Sequence, residues 1–190
     1  MAELFLVTGG SRSGKSSFAL QTATSYQDPR TFIATCPVLD EEMAQRVERH
    51  QCERQGKGWH TIEETINLAQ TVDTVGRGTI LIDCLTLWMN NLMYDAEQQD
   101  TTFNEEDAET ASRQLVEALE RFQGRAVVVT TEVGFGITPE HELARRFRDN
   151  AGRCNQVLAA AASHAVCMVS GLPMVLKENG TVPSHSANFF

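Results

Sequence analysis

The sequence predicts one α/β domain with a mostly parallel central sheet flanked by helices. Apolar, β-rich runs alternate along the chain with segments of helical period, as βαβ folds require. The runs Leu4–Thr8, Thr31–Ala34, Thr79–Asp83, Ala126–Thr131 and Ala165–Ser170 lack the apolar/polar alternation of half-exposed strands. They are therefore expected to be buried on both faces. A length of 190 residues suits one domain with a sizeable core.

The remaining elements follow in order. After the first strand, a glycine-rich turn ending at Ser16 leads into a helix. Asp40 can cap a helix running to about Arg54, and Thr61 with Glu64 has the spacing of a capping box for the next helix. Leu85 to about Tyr94 reads as an apolar helix, and the polar stretch Asp95–Phe103 as a solvated connection. Asn104 can cap an acidic helix through Phe122, and Thr138-Pro139 supplies the cap and first turn of a long helix to about Ser163. A short edge strand is expected at Met174–Leu176. The expected domain spans residues 1–177. Residues 178–190 form a tail without apolar period.

Composition narrows the class. Hydrophobic residues at 42% and charged residues at 22% are ordinary globular values, which excludes disordered and fibrous classes. No apolar run approaches the roughly 18 residues of a membrane span, and Leu4–Thr8 follows no basic stretch, so no signal peptide is expected. The five cysteines, Cys36, Cys52, Cys84, Cys154 and Cys167, form no C-x-x-C pair, so neither a zinc ribbon nor a disulfide framework is indicated. A reducing cytoplasm is the expected setting. A net charge of −9 argues against a nucleic-acid partner, although anions can still be held where cations are concentrated locally.

The strongest chemical signal is Gly9-Gly10-Ser11-Arg12-Ser13-Gly14-Lys15-Ser16, a complete G-x-x-x-x-G-K-[ST] between a buried strand and a helix. The glycines let successive N–H groups converge on phosphate oxygens, and the helix start adds its positive end. Lys15 is expected to reach the outer phosphates of a nucleoside triphosphate, and the Ser16 hydroxyl to ligate Mg²⁺. Asp83 ends the third strand, where it is either a turn residue or the acid that holds the metal's water shell.

Other residues carry more than one reading each. On the helix expected from Asp40, Met43, Val47, His50 and Arg54 share one face. By that pattern His50 is either a core histidine or a nucleophile able to attack phosphorus. Glu132, in Thr131-Glu132-Val133-Gly134-Phe135-Gly136, lies either in a simple turn or at the sheet edge where α/β ligands bind. Arg145, Arg146, Arg148, Asp149 and Arg153 make a solvated face, a subunit contact or an anion site.

Further ordered motifs are specific: Ile33-Ala34-Thr35, Asp40-Glu41-Glu42-Met43 with Arg46 and His50, Trp59, Glu63, and Asp83-Cys84-Leu85-Thr86-Leu87-Trp88. Glu132-Val133-Gly134-Phe135-Gly136-Ile137, Phe147-Arg148-Asp149, Asn155-Gln156 and Ser170-Gly171 continue the set. With the glycine-rich loop, these residues resemble the bifunctional adenosylcobinamide kinase / adenosylcobinamide-phosphate guanylyltransferase enzymes of cobalamin biosynthesis. The resemblance runs from Leu6 to about Lys177 and implies a P-loop NTPase-like fold. It implies phosphorylation of adenosylcobinamide by ATP or GTP, then transfer of GMP from GTP to that phosphate. His50 falls on the family's guanylyl-bearing histidine. Ala34, Thr35, Cys36, Gln51, Cys52, Glu53, Arg54, Glu63 and Asp83 fall on positions that contact the guanine nucleotide. The family also implies a homotrimer in which neighbouring chains help build each site.

Three departures from the family pattern stand out: Thr131 in place of Asn, Gln55 in place of Pro, and a tail, 178–190, without counterpart. A helix-borne histidine must approach the nucleotide to react, so the His50 helix is expected to shift when GTP binds. Structures with and without GTP that place this helix identically would refute that expectation.

Overall fold

The computed structural model describes residues 3–37, 41, 48, 51, 52 and 54–183. Seven strands form one sheet: β1 (Glu3–Gly9), β2 (Arg30–Ala34), β3 (Trp59–Glu63), β4 (Arg77–Asp83), β5 (Gln123–Val129), β6 (His164–Val169) and β7 (Leu172–Lys177). Their order is β3-β2-β4-β5-β1-β6-β7, and only β7 runs antiparallel, against β6. Outside the partly described 41–54 stretch, the described residues form the helices α1 (Lys15–Thr24), α2 (Leu68–Val75), α3 (Leu85–Gln98), α4 (Glu105–Arg121) and α5 (Glu142–Ala161), and a 3₁₀ turn at Val133–Phe135. His50, Glu53 and most of the helix expected from Asp40 lie outside the described residues.

The five strands expected from apolar runs are the five contiguous central strands. Their side chains alternate between two cores. Leu4, Leu6, Ile80, Ile82, Ala126 and Val128 pack beneath α2 to α5, against Leu68, Trp88, Leu115 and Leu158. Val7, Leu81, Val127, Val129, Val166 and Met168 pack beneath Ala19, Leu20 and Ala23 of α1. Because both faces are covered, the period of two separates the cores without any alternation of polarity.

Four boundaries differ from expectation. Trp59–Glu63 is a strand, so Thr61 caps nothing, and α2 opens at Leu68 with Asn67 at its N-cap. Pairing with β2 outweighs the local capping pattern there. Glu64 still serves the turn, its Oε1 accepting the N–H groups of Ile66 and Asn67 at 2.8 Å each. Helix α3 continues to Gln98, taking the start of the expected connection, and Gln99 closes onto Asp95 at 2.7 Å. Helix α5 begins at Glu142 rather than at Thr138-Pro139. The Arg145 guanidinium donates to the carbonyls of Pro139 and Glu140, which holds that segment outside the helix. Strand β5 spans Gln123–Val129, so Thr130 and Thr131 have already left the sheet.

The residues after β7 that are described fold back on the domain. Glu178 and Thr181 bridge each other, and the Gly180 N–H donates to the Ser163 carbonyl at 2.8 Å. Lys177 donates to the carbonyls of Ala159 and Ala160 at the end of α5, where a cation complements the helix dipole. None of the five cysteines forms a disulfide. Among the described residues no helix is long and apolar enough to cross a membrane.

The expected cap of α4 is present in full. Asn104 accepts the N–H groups of Glu106 and Asp107, while Asp107 accepts that of Asn104. Asn104→Ala removes this box and should lower the unfolding free energy by about 1 kcal/mol. A urea titration checks it, and an unchanged midpoint would mean that the cap contributes nothing.

Candidate nucleotide site

The site is organised by one row of sheet register. Glu63 pairs with Ala34, Ala34 with Asp83, Asp83 with Val129, and Val129 with Val7. All five therefore lie level with one another at the carboxyl end of the parallel strands, where α/β folds bind ligands. The glycine-rich loop begins two residues beyond Val7.

Gly9 has φ +141, and a Cβ there would stand 2.5 Å from the Met168 carbonyl oxygen and 2.8 Å from Ser13 Oγ. Only glycine lets β1 end so close to β6 while the loop folds over it. The loop closes through Ser13 N–H to the Gly10 carbonyl, at 3.3 Å. Gly14, with φ +92, then turns the chain into α1, whose first residue is Lys15. The α1 start has no side-chain cap, so its first-turn N–H groups point out of the helix without an intrahelical acceptor. The Gly171 N–H donates to the Ser13 carbonyl at 3.0 Å, so the β6–β7 turn buttresses the loop. Lys15 Nζ donates to the Gly10 carbonyl at 3.0 Å, which lays its stem along the loop. Ser13 Oγ is buried with no hydrogen-bond partner among the described residues.

Beside the loop, Thr35 fixes the ends of β2 and β4 together. Its hydroxyl donates to the Cys84 carbonyl and accepts the Cys84 N–H, each at 2.7 Å, and its carbonyl accepts from buried Asn91 at 2.8 Å. This locks Ala34, Thr35 and Cys36 against Asp83. Two strand spacings separate Asp83 from β1, about 10 Å, which lets its carboxylate serve a group bound over the loop. Glu63 lies four spacings away, about 19 Å, and reaches only a ligand extended along the edge.

The described part of the 51–54 stretch packs beside β2 and β3. Arg54 is buried with its guanidinium 3.6 Å from the centroid of the Phe32 ring. Gln51, Cys52 and Arg54 line a cavity of about 460 Å³ with Trp59 and Thr61. Trp59 opens β3, four residues before the ligand-facing row. The sheet register thus brings Ala34 and Asp83, with the adjoining Thr35, to the edge from which the loop emerges.

Sequence reasoning left Glu132 open between a turn and a ligand residue, and the structure gives it specific partners. The Thr8 hydroxyl donates to Glu132 Oε1 at 2.6 Å, Asn155 Nδ2 donates to the same oxygen at 3.2 Å, and the Glu132 N–H donates to the Gly9 carbonyl at 3.2 Å. Thr130 donates to Asn155 Oδ1 at 2.6 Å, and Thr86 accepts the Thr131 N–H at 2.8 Å. Thr86 and Asn155 lay in motifs that carried the family resemblance, whereas Thr130 had no signal of its own; only the fold brings the three together. Burial, reinforced by the Glu132 charge, holds the Cys167 thiol above its usual pKa.

With this geometry in place, the comparisons with known proteins decide the family. Residues 5–176 match the family of cobinamide kinases / cobinamide phosphate guanyltransferases. The chain belongs to that family. The bifunctional adenosylcobalamin biosynthesis protein CobU of Escherichia coli K12 is 39% identical over 184 residues, covering 92% of this chain and 99% of the relative. CobU of Salmonella typhimurium LT2 is 40% identical over 183 residues, covering 92% and 99%. CobP of Pseudomonas aeruginosa PAO1, also a bifunctional adenosylcobalamin biosynthesis protein, is 38% identical over 175 residues, covering 90% and 96%. This member of the cobinamide kinase / guanyltransferase family thus spans nearly the whole length of its relatives.

The contact at Gly9 makes a direct prediction. Gly9→Ala forces the loop or β6 to move and should weaken GTP binding about tenfold or more, measured by titration calorimetry. Affinity within a factor of two of wild type would show that the loop tolerates the methyl group.

Proposed function

We propose that this chain carries out both reactions of its family: phosphorylation of adenosylcobinamide by ATP or GTP, then transfer of GMP from GTP to the new phosphate, giving adenosyl-GDP-cobinamide. The observation that carries this reading is the complete phosphate loop at the same sheet edge as Asp83, in a chain that matches the family over residues 5–176. In this reading Gly9, Gly10, Ser11, Arg12, Ser13, Gly14, Lys15 and Ser16 cradle the phosphates. Ala34, Thr35, Cys36, Glu63 and Asp83 border the nucleotide along the edge.

The residues present suit Mg²⁺. The Ser16 hydroxyl and the Asp83 carboxylate are hard oxygen donors, and neither hydrogen-bonds to any described residue. Among the described residues no cluster of three or more His, Cys, Asp or Glu side chains could hold a metal by itself. This suits an ion that keeps several waters and takes phosphate oxygens as further ligands. The bound ion would lower the charge on the phosphates; Lys15 would neutralise the departing group, and the α1 amides would fix the chain of phosphates for in-line displacement.

In the second reaction His50 is the nucleophile. Its imidazole nitrogen attacks the α-phosphorus of GTP, pyrophosphate leaves, and the corrinoid phosphate then displaces GMP from the histidine. Gln51, Cys52, Glu53 and Arg54 would contact the guanine nucleotide. The reading includes a homotrimer, in which neighbouring chains help build each site. A cytoplasmic location fits cysteines that form no disulfide.

GTP labelled at the α or the γ phosphate separates the two activities. With Mg²⁺, wild type should take up acid-labile, base-stable label from α-labelled GTP only, and His50→Ala should take up none. Absence of α label under turnover conditions would leave a kinase without guanylyl transfer.

A further inference from the structure

The kinase step needs a group to receive the proton of the acceptor hydroxyl. A cleft of about 380 Å³ opens beside the loop, between the 3₁₀ turn and α5. Three carboxylates line it: Glu105, Glu132 and Asp149. Two are held by arginines, Glu105 by Arg153 at 3.4 Å and Asp149 by Arg148 at 2.9 Å. A guanidinium held against a carboxylate occupies oxygen lone pairs that an incoming hydroxyl would need. Glu132 has no arginine partner among the described residues. Its donors, Thr8 and Asn155, are neutral and both serve Oε1, so Oε2 has no hydrogen-bond partner among those residues.

The position is as specific as the electrostatics. Through Thr8 and the Gly9 carbonyl, Glu132 is fastened to the two residues that open the phosphate loop. The carboxylate is therefore held beside the end of a triphosphate lying in that loop. The cleft volume suits a small alcohol arm and is far too small for a corrin ring, which would stay outside. Phe135 and Ile137, exposed at 77% and 97%, flank this side of the domain and offer apolar surface to such a ring.

We propose that the cleft between the 3₁₀ turn and α5 receives the hydroxyl-bearing arm of the acceptor, with Glu132 as the catalytic base of the kinase reaction. The hydroxyl proton passes to Glu132 Oε2 as the acceptor oxygen bonds to the γ-phosphorus. The bond from that phosphorus to the β,γ-bridging oxygen breaks, and its electron pair leaves with the nucleoside diphosphate. Asn155 and Thr8 are positioning residues, which hold Oε1 so that Oε2 faces the cleft. The assignment rests on the kinase reading above.

Glu132→Gln in the full-length protein is the test, because the amide oxygen can still accept from Thr8 and Asn155. The kinase rate on adenosylcobinamide should fall by about 100-fold. The ratio of kinase rate to protein guanylylation by α-labelled GTP should fall at least about tenfold. Wild-type kinase activity should decline as the medium is made acidic. Glu132→Gln should lose that acidic limb, and Glu132→Asp should keep it at a reduced rate. An unchanged ratio, an acidic limb retained in Glu132→Gln, or a rate restored by raised Mg²⁺ would overturn the assignment, the last by making Glu132 a metal ligand. Should wild type phosphorylate no adenosylcobinamide, the kinase reading itself fails, which is seen before any variant is compared.

Discussion

The parallel pairing of β4, β5 and β1, buried on both faces, is the constraint on which the rest of the molecule depends. Parallel strands send every carboxyl end to the same edge, and burial leaves no freedom to slide by one residue without turning each core side chain to the wrong layer. The row from Glu63 through Ala34, Asp83 and Val129 to Val7 is the outcome. Loops that are distant in sequence must then emerge within a few strand spacings of one another, and the site is assembled from their first residues.

Beyond that row the sheet gives out and side chains take over the joining. Thr35 ties β2 to the start of α3, Thr86 holds the chain leaving β5, and Asn155 links α5 to Thr130, Thr131 and Glu132. Glu132 then reaches Thr8 on β1. Polar groups taken out of water need such partners, and a hydrogen-bonded chain of them defines one arrangement more sharply than apolar packing does. The phosphate loop is stiffened from the opposite side by the Gly171 amide.

Much of this could be read from the residues. The central strands are legible because double-sided burial writes itself as an unbroken apolar run. The phosphate loop is legible because its requirements are local: glycines where φ is positive, a lysine, a hydroxyl, and a strand before it. Strand β3 was hidden, since Trp59–Glu63 is a short, largely exposed edge strand whose Thr61 and Glu64 imitate a helix start. The start of α5 was displaced because Arg145 takes up carbonyls that a helix begun at Thr138 would have paired with its own N–H groups. The tie between Glu132 and Thr8 joins residues 124 positions apart, and nothing in either segment announces the other. His50 depended on family resemblance, because a histidine on an inward helical stripe serves packing as readily as chemistry.

The Gly9 contact also divides the site by its capacity to change. A side chain at Gly9 would meet first the Met168 backbone, which cannot be substituted to make room for it. At the far end of the row, Glu63 stands exposed on an edge strand with room around it. Side-chain changes on the outer strand therefore meet less steric resistance than any change at the position next to β6.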